Sequence, residues 1–257
     1  MNNQLILSLI SGIFIGSVAA YLGTLMLSRK MSVVAGPLAH LTLPGAALSI
    51  IYGFSLFIGI FPFVLLGVFL IWFLERKTKL PIENLTAIIF AFGIGLALLI
   101  LPIEKAEAAL IGNINHISFA ETIFVVLISS VVLFLTQKIY SQIMLININE
   151  DLAQSIGINV RLYNFLYLLN VGLIIALGVY LVGGLITAAL VAIPAAFAKN
   201  ISLNLKNYKI WSVFAGISST ILGILLNYFY GFPAGPLIII SGGVLFLISV
   251  LIKIFKK

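Results

Sequence analysis

One histidine lies in a stretch of the chain that is otherwise almost entirely apolar. It is His40, within VVAGPLAHLTLPGAALSI at residues 33–50. An ionisable side chain in hydrocarbon is costly and needs a function or a good partner. Three interpretations follow: His40 hydrogen-bonds a carbonyl freed by Pro44, it lines a pathway or transiently contacts a metal ion, or it is a gate sensitive to protonation.

A second group of polar side chains occupies PIEKAEAALIGNINHISFAE, residues 102–121. Its three glutamates outnumber its single lysine, which predicts a weak attraction for cations that screening limits to about 10 Å. Asn113 and His116 are candidates for contacting an entering substrate. The alternative is that both belong to an ordinary solvated loop.

A third polar stretch, SQIMLININEDLAQSIGINVRL at residues 141–162, contains the signals of a short helix. Asn149 is the predicted N-cap, the carboxylates of Glu150 and Asp151 match the positive helix end, and Gly157 follows the helix. A helix held in this way between two membrane spans predicts a docking element for a soluble partner, or an ordinary capped loop helix.

Composition sets the class of protein that carries these groups. The 257 residues are 62% hydrophobic and 8% charged, with a mean hydropathy of +1.26, which excludes a water-soluble domain. The chain contains no cysteine, so disulfides and thiolate metal sites are excluded as well. We therefore predict an integral membrane protein.

Apolar runs long enough to cross a hydrocarbon core of about 30 Å recur along the chain. We predict a single transmembrane domain over residues 1–257, an all-α polytopic bundle whose first helix, without a basic segment before it, is retained. The predicted spans lie near residues 4–27, 33–53, 55–74, 84–102, 121–140, 163–182, 184–198, 210–230 and 236–254. Because the seventh is short and joined tightly to the sixth by Gly183 and Gly184, eight spans are the alternative.

Basic residues predict the orientation of the bundle. With nine spans, all of the 14 lysines and arginines except Lys105 fall on one side. The positive side is cytoplasmic, so the amino terminus is predicted outside and the carboxyl terminus inside. The net charge of +7 is thus explained by topology and does not indicate nucleic-acid binding.

Small residues and helix breakers predict how the bundle packs. Ser8, Gly12, Gly16 and Ala20 recur every four residues and form a stripe that a second helix can approach closely, within the chain or across a dimer. Glycines and prolines are expected to interrupt several spans, which favours a pathway over an inert anchor. They are Gly36-Pro37, Pro44-Gly45, Gly183-Gly184, Pro194 and the turn at 231–236.

Five segments, in order and spacing over roughly residues 10–250, resemble the permease subunits of manganese, zinc and iron ABC importers, the ABC-3 family. The segments are RKMSVVAGPLAHLTLPGAAL, AALIGNINHIS, EDLAQSIGINVRLYNFLYLL, VGGLITAALVAIPAAFAK and LLNYFYGFPAGPLIII. The resemblance implies a fold similar to type II ABC importer permeases, in the plasma membrane of a prokaryote. It further implies a permease homodimer that carries zinc or manganese, and an extracytoplasmic metal-binding protein that delivers the ion.

The same resemblance gives the short cytoplasmic helix a role. The segment of Glu150, Asp151, Ala153 and Gly157 is similar to the coupling helix that seats in a partner ATPase. The chain contains no G-x-x-x-x-G-K-[ST] phosphate loop, so ATP is expected to be bound and hydrolysed by that partner. This chain is then a transport subunit that binds no cofactor.

Substrate contacts resemble the family less closely. Family members carry an acid one turn before the histidine, and here that position is Gly36, whereas His40 is retained. The family's acidic position in the last outer turn is Gly231. A lone imidazole is a poor divalent-metal site, so we expect other contributors to the path. The candidates are Thr42, Pro44, Asn113, His116 and the His40 of a second copy.

Three alternatives differ in class. An ABC permease for a non-metal substrate shares every feature above. A secondary carrier also shares the broken helices but has no ATPase to bind the helix at 149–158. An intramembrane hydrolase needs a constellation such as H-E-x-x-H or G-x-S-x-G, and the sequence contains neither.

Overall fold

The structure is a computed structural model that describes residues 3–29, 31, 35–100, 117–184 and 187–255. Within these residues all regular secondary structure is helical. The helices are α1 (Asn3–Ser28), α2 (Ala35–His40), α3 (Leu43–Tyr52), α4 (Leu56–Thr78), α5 (Ile82–Ile100), α6 (Phe119–Ile148), α7 (Glu150–Ser155), α8 (Val160–Val182), α9 (Thr187–Ile201), α10 (Leu205–Tyr230) and α11 (Ala234–Phe255).

Seven of the described helices are long and apolar enough to cross a membrane. They are α1, α4, α5, α6, α8, α10 and α11, and α9 is a shorter apolar helix of 15 residues. The prediction of a polytopic all-α membrane protein is therefore confirmed. Helix α8 is buried along most of its length, which places it at the centre of the bundle.

The span predicted over residues 33–53 is not one helix. It is divided into α2 and α3 at Leu41 and Thr42. Pro44 lies in the first turn of α3, where a missing backbone N–H costs nothing. Leu41 packs against the backbone of Gly67 on α4 and of Gly93 on α5, two positions without a side chain. The break thus inserts Leu41 between α4 and α5.

Not every proline interrupts a helix. Pro194, which we predicted to break a span, lies inside the continuous helix α9, as Pro62 does inside α4. Gly183 does end a helix, since it follows α8 with a φ of 101°. Pro194 is buried, and α9 continues past it although proline cannot donate a backbone hydrogen bond.

The small-residue stripe of α1 is covered by a helix of the same chain. Side chains at Gly12 or Gly16 would collide with Thr220 of α10, and Gly216 lies directly against Gly16. Ser212 Oγ donates a hydrogen bond to the Ala20 carbonyl at 2.7 Å. The intramolecular interpretation of the stripe is therefore confirmed, and α1 and α10 form one tightly packed pair.

Candidate functional site

His40 is the last residue of the short helix α2. Helix α2 packs on α4, α5, α8 and α9. The His40 ring contacts Phe90 of α5, with centroids 5.3 Å apart and planes inclined at 49°. The residue is half-buried, and its Nδ1 is buried without a hydrogen-bond partner. This geometry does not support a histidine satisfied by a backbone carbonyl.

Thr42 and Pro44, the neighbouring candidates, are buried in the break between α2 and α3. Thr42 is fully buried, and its hydroxyl donates to the Ala39 carbonyl at 2.6 Å. The Thr42 carbonyl accepts from the Ala46 amide at 2.9 Å and so begins α3. Pro44 is buried in the following turn. Both residues shape the break after His40, and neither presents a free ligand atom beside it.

Gly36 lies one helical turn before His40 and therefore on the same face of α2. A Cβ built at Gly36 would lie 3.9 Å from the Ala188 Cβ of α9, an ordinary van der Waals contact, with no other atom nearer. The position expected to carry an acid thus has room for a Cβ, although glycine occupies it.

No group of three or more histidine, aspartate or glutamate side chains that could hold a metal ion occurs in the described part of the chain. Asn113 and His116, the two further candidates, lie outside the described residues. A single imidazole provides one ligand where zinc takes four, so His40 suits a passing contact rather than a resident metal site.

Gly231 ends α10 with a φ of 73°, and Asn227 Nδ2 donates to the Phe232 carbonyl at 2.6 Å across the same turn. A side chain would meet no neighbouring atom there, but this left-handed conformation favours glycine. The glycine at this position is therefore explained by the turn that separates α10 from α11.

Helix α7 lies between the predicted capping residues. Asn149 Oδ1 accepts from the Leu152 amide at 3.0 Å, Glu150 and Asp151 form the first turn, and Gly157 follows with a φ of 86°. Ala153 is buried, and its carbonyl accepts from the Ile158 amide at 3.0 Å. Those predictions of helix position and cap are confirmed.

The outer face of α7 carries exposed apolar side chains. Leu152 is 57% exposed and Ile156 is 61% exposed, on a segment whose acids are also exposed. Next to this segment lies a cavity of about 410 Å³ between the end of α4, α7 and the start of α8. Its lining mixes both charges and comprises Trp72, Glu75, Arg76, Lys79, Glu150, Gln154, Val160, Arg161 and Asn164.

Arg29 and Lys209, which in the sequence predict only membrane orientation, also contact side chains of other helices. Arg29 donates to Asn164 Oδ1 at 3.0 Å, and the Lys209 ammonium lies over the Tyr140 ring at 3.7 Å from its centroid. No periodicity in the sequence announces these contacts, because each joins helices more than 60 residues apart.

Comparison with known proteins agrees with this architecture. Residues 1–253 match the ABC 3 transport family. The chain is 27% identical to the manganese import system permease protein ScaB of Streptococcus gordonii, covering 94% of this chain and 88% of that protein. It is 28% identical to the high-affinity zinc uptake system membrane protein ZnuB of Haemophilus influenzae, covering 97% and 96%.

A solved structure shows the same fold. In the structure of PsaBC from Streptococcus pneumoniae in complex with a Fab, the matching chain superposes with a TM-score of 0.80 and 26% identity, covering 94% of this chain and 89% of that one. The helical bundle, its apolar spans and the family match over nearly the whole length agree: this chain belongs to the ABC 3 transport family.

Proposed function

We propose that this chain is the permease subunit of an ATP-driven importer for a divalent metal ion, zinc or manganese. The observation that carries the proposal is the family match over residues 1–253. Relatives of similar length are named as a manganese import system permease protein and a zinc uptake system membrane protein. The retained His40, an imidazole that suits zinc, agrees with this class of substrate.

The membrane arrangement that best fits the fold has nine passes. The seven long helices count once each, α2 and α3 together make one further pass, and α9 makes another. The amino terminus is then outside, and the lysines and arginines of the described residues, except Lys138 within α6, lie near cytoplasmic helix ends. Helix α9 has only 15 residues; Thr187 at its start is buried, whereas Lys199 near its end is exposed.

A second permease copy completes the path. His40 is half-buried in a single copy, although it lies within the membrane-embedded region. Exposing an imidazole to lipid is costly, whereas a water-filled space between two copies solvates it. The substrate path is thus proposed to run between two identical subunits along His40, with an extracytoplasmic solute-binding protein delivering the ion.

ATP hydrolysis is assigned to a separate cytoplasmic subunit, since this chain has no phosphate loop. Helix α7 is proposed to be the element that this subunit binds, through Leu152 and Ile156 and the acids beside them. In this segment Glu150 and Asp151 supply the negative charge. Ala153 is buried against the protein, and Gly157 follows the end of the helix.

Two measurements test the function. Cellular zinc and manganese are measured by elemental analysis with and without this chain and its ATPase, and import predicts a lower content of one metal when either is absent. An unchanged cellular content of transition metals would indicate a non-metal substrate instead. Transport that persists without ATP would identify a secondary carrier instead.

The role of α7 has its own test. The purified complex should hydrolyse ATP only when the ATPase is bound, and substitution of both Asp151 and Gly157 should reduce coupled ATP hydrolysis while the bundle remains folded. Full coupling in that double variant would contradict the assignment of α7. Lys206→Ala, at an exposed position on α10 rather than on α7, serves as the control.

A further inference from the structure

The cytoplasmic end of α1 is held between the two helices that flank α7. Thr24 Oγ1 of α1 and the Tyr140 hydroxyl of α6 are 3.1 Å apart. Arg29, just after α1, donates to Asn164 of α8 at 3.0 Å and lies 5.0 Å from the centroid of the Tyr167 ring. Helix α1 therefore contacts both helices that carry the proposed coupling helix.

Lys209 adds α10 to the same arrangement. Its ammonium lies 3.7 Å from the Tyr140 ring centroid and 5.9 Å from that of Tyr21, and the two rings are 5.4 Å apart. Tyr140, Tyr21 and Thr24 are buried, whereas Lys209 is half-buried. A cation over a partly desolvated aromatic face is attracted more strongly than an exposed pair.

Helix α1 is packed closely against α10 along its length. Gly16 and Gly216 allow α1 and α10 to touch along their backbones, and Ser212 bonds the Ala20 carbonyl. These two helices thus form a single packed unit. Helix α6 also packs along α1, where Ser11 Oγ donates to Thr122 Oγ1 at 3.4 Å, and it is followed directly by α7 beyond the Asn149 cap.

Packing continues from that unit to His40. Helix α9 packs on α1 and α10, and Ala188 of α9 faces Gly36 of α2. A displacement of α7 therefore reaches α6 first, passes to α1 along their shared contact and to α10 where Tyr140 meets Lys209, and continues through α9 to the helix that ends in His40. Such a chain of contacts is evidence of proximity, and coupling has to be measured.

We propose that Tyr140 and Lys209 form the joint through which movement of α7 is passed to the α1–α10 unit. Lys209 is a positioning residue that keeps the Tyr140 ring seated beside Thr24 and Tyr21. This inference rests on the proposed function, because it assumes that α7 is driven by an ATPase. Lys206, one turn earlier on α10 and exposed, provides the comparison, since it offers positive charge alone.

The test uses the permease–ATPase complex in liposomes and measures metal ions transported per ATP hydrolysed. Lys209→Met should lower that ratio about tenfold while ATP hydrolysis continues. The reason is that the variant loses a partly buried cation–π contact whose energy is of that order. Lys209→Arg, which keeps a cation over the ring, should restore it to near the wild-type value. Lys206→Met removes the same charge from the preceding turn and should leave the ratio unchanged.

A second measurement uses the permease alone. Thermal unfolding of Lys209→Met, Tyr140→Leu and the double variant forms a cycle, in which the double variant should unfold no earlier than the worse single variant. If Lys209→Met does not assemble with the ATPase, Lys209→Gln replaces it in the transport assay.

The outcomes separate this proposal from the function on which it rests. Equal ratios for Lys209→Met and Lys206→Met, or strictly additive unfolding shifts, would overturn the joint while the import function stands. A wild-type complex that moves no metal with ATP would overturn the import function itself, and the joint with it.

Discussion

Gly36 of α2 faces Ala188 of α9 across a gap that accommodates one more carbon atom, since a Cβ at Gly36 would lie 3.9 Å from the Ala188 Cβ. Gly36 is also one helical turn before His40, on the same face. A Cβ therefore fits at Gly36 in ordinary van der Waals contact, one turn from His40. The helix therefore presents an imidazole here without the carboxylate expected one turn before it.

Introducing a carboxylate at that place should strengthen the metal path. In Gly36→Asp, an acid one turn from His40 would give an incoming divalent ion two protein ligands instead of one, and we expect a roughly tenfold lower KM for metal uptake. Gly36→Asn has the same shape without the charge and should leave KM near the wild-type value. Equal effects of both variants would show that space rather than charge is limiting.

The insertion of Leu41 between α4 and α5 predicts an unusual sensitivity to side-chain size. Gly67→Val should collide with Leu41 and destabilise the bundle by about 1–3 kcal/mol, the usual cost of overpacking. Adding Leu41→Ala should recover part of that loss. Gly95→Val, on the open side of α5, is the control, since no atom lies within 4 Å of a Cβ there. Thermal unfolding of the three variants measures the effect, and equal destabilisation by Gly67→Val and Gly95→Val would contradict it.

Gly157 predicts a conformational requirement at the end of α7. Its φ of 86° is costly for a β-branched residue, so Gly157→Val should destabilise this turn by about 1–3 kcal/mol. Asparagine tolerates the left-handed region better, and Gly157→Asn should keep most ATPase binding. Co-purification of the ATPase with each variant is the measurement. Full binding by Gly157→Val would show that the backbone conformation of the turn is not needed for docking.

The absence of cysteine allows the orientation of the bundle to be measured directly. Single cysteines at Ser155 and Leu203 should react with an impermeant maleimide only after the membrane is opened, whereas those at Tyr52 and Phe232 should react in intact cells. All four positions are exposed in the structure, so accessibility reports the side of the membrane. Labelling of Ser155 and Phe232 from the same side would contradict the proposed nine passes.

Several features were predictable because they depend on neighbouring residues in the chain. Asn149, the acids after it and Gly157 determine α7 through hydrogen bonds and dihedral preferences that span a few residues. Long apolar runs likewise predicted the spans, since hydrocarbon permits few alternatives to a helix. The stripe of Gly12 and Gly16 predicted a close helix contact but could not say which helix, and the structure identifies α10.

Other features depended on distant parts of the chain. The break after His40 occurs at Leu41 because Gly67 and Gly93, on two later helices, leave space there. Pro194, which the sequence suggested as a break, stays within α9. Lys209 was predictable only as a cytoplasmic charge, because its contact with Tyr140 joins helices whose proximity no local pattern encodes.

By itself the sequence determined the membrane class, the apolar spans, the capped helix α7 and the family resemblance, because composition, periodicity and capping act over short distances along the chain. Only the tertiary structure decided how His40 is surrounded, that Gly36 beside it is open, and that Arg29 and Lys209 are bound within the bundle. Those properties arise where helices from distant parts of the chain meet, and the physical cause is side-chain packing between them.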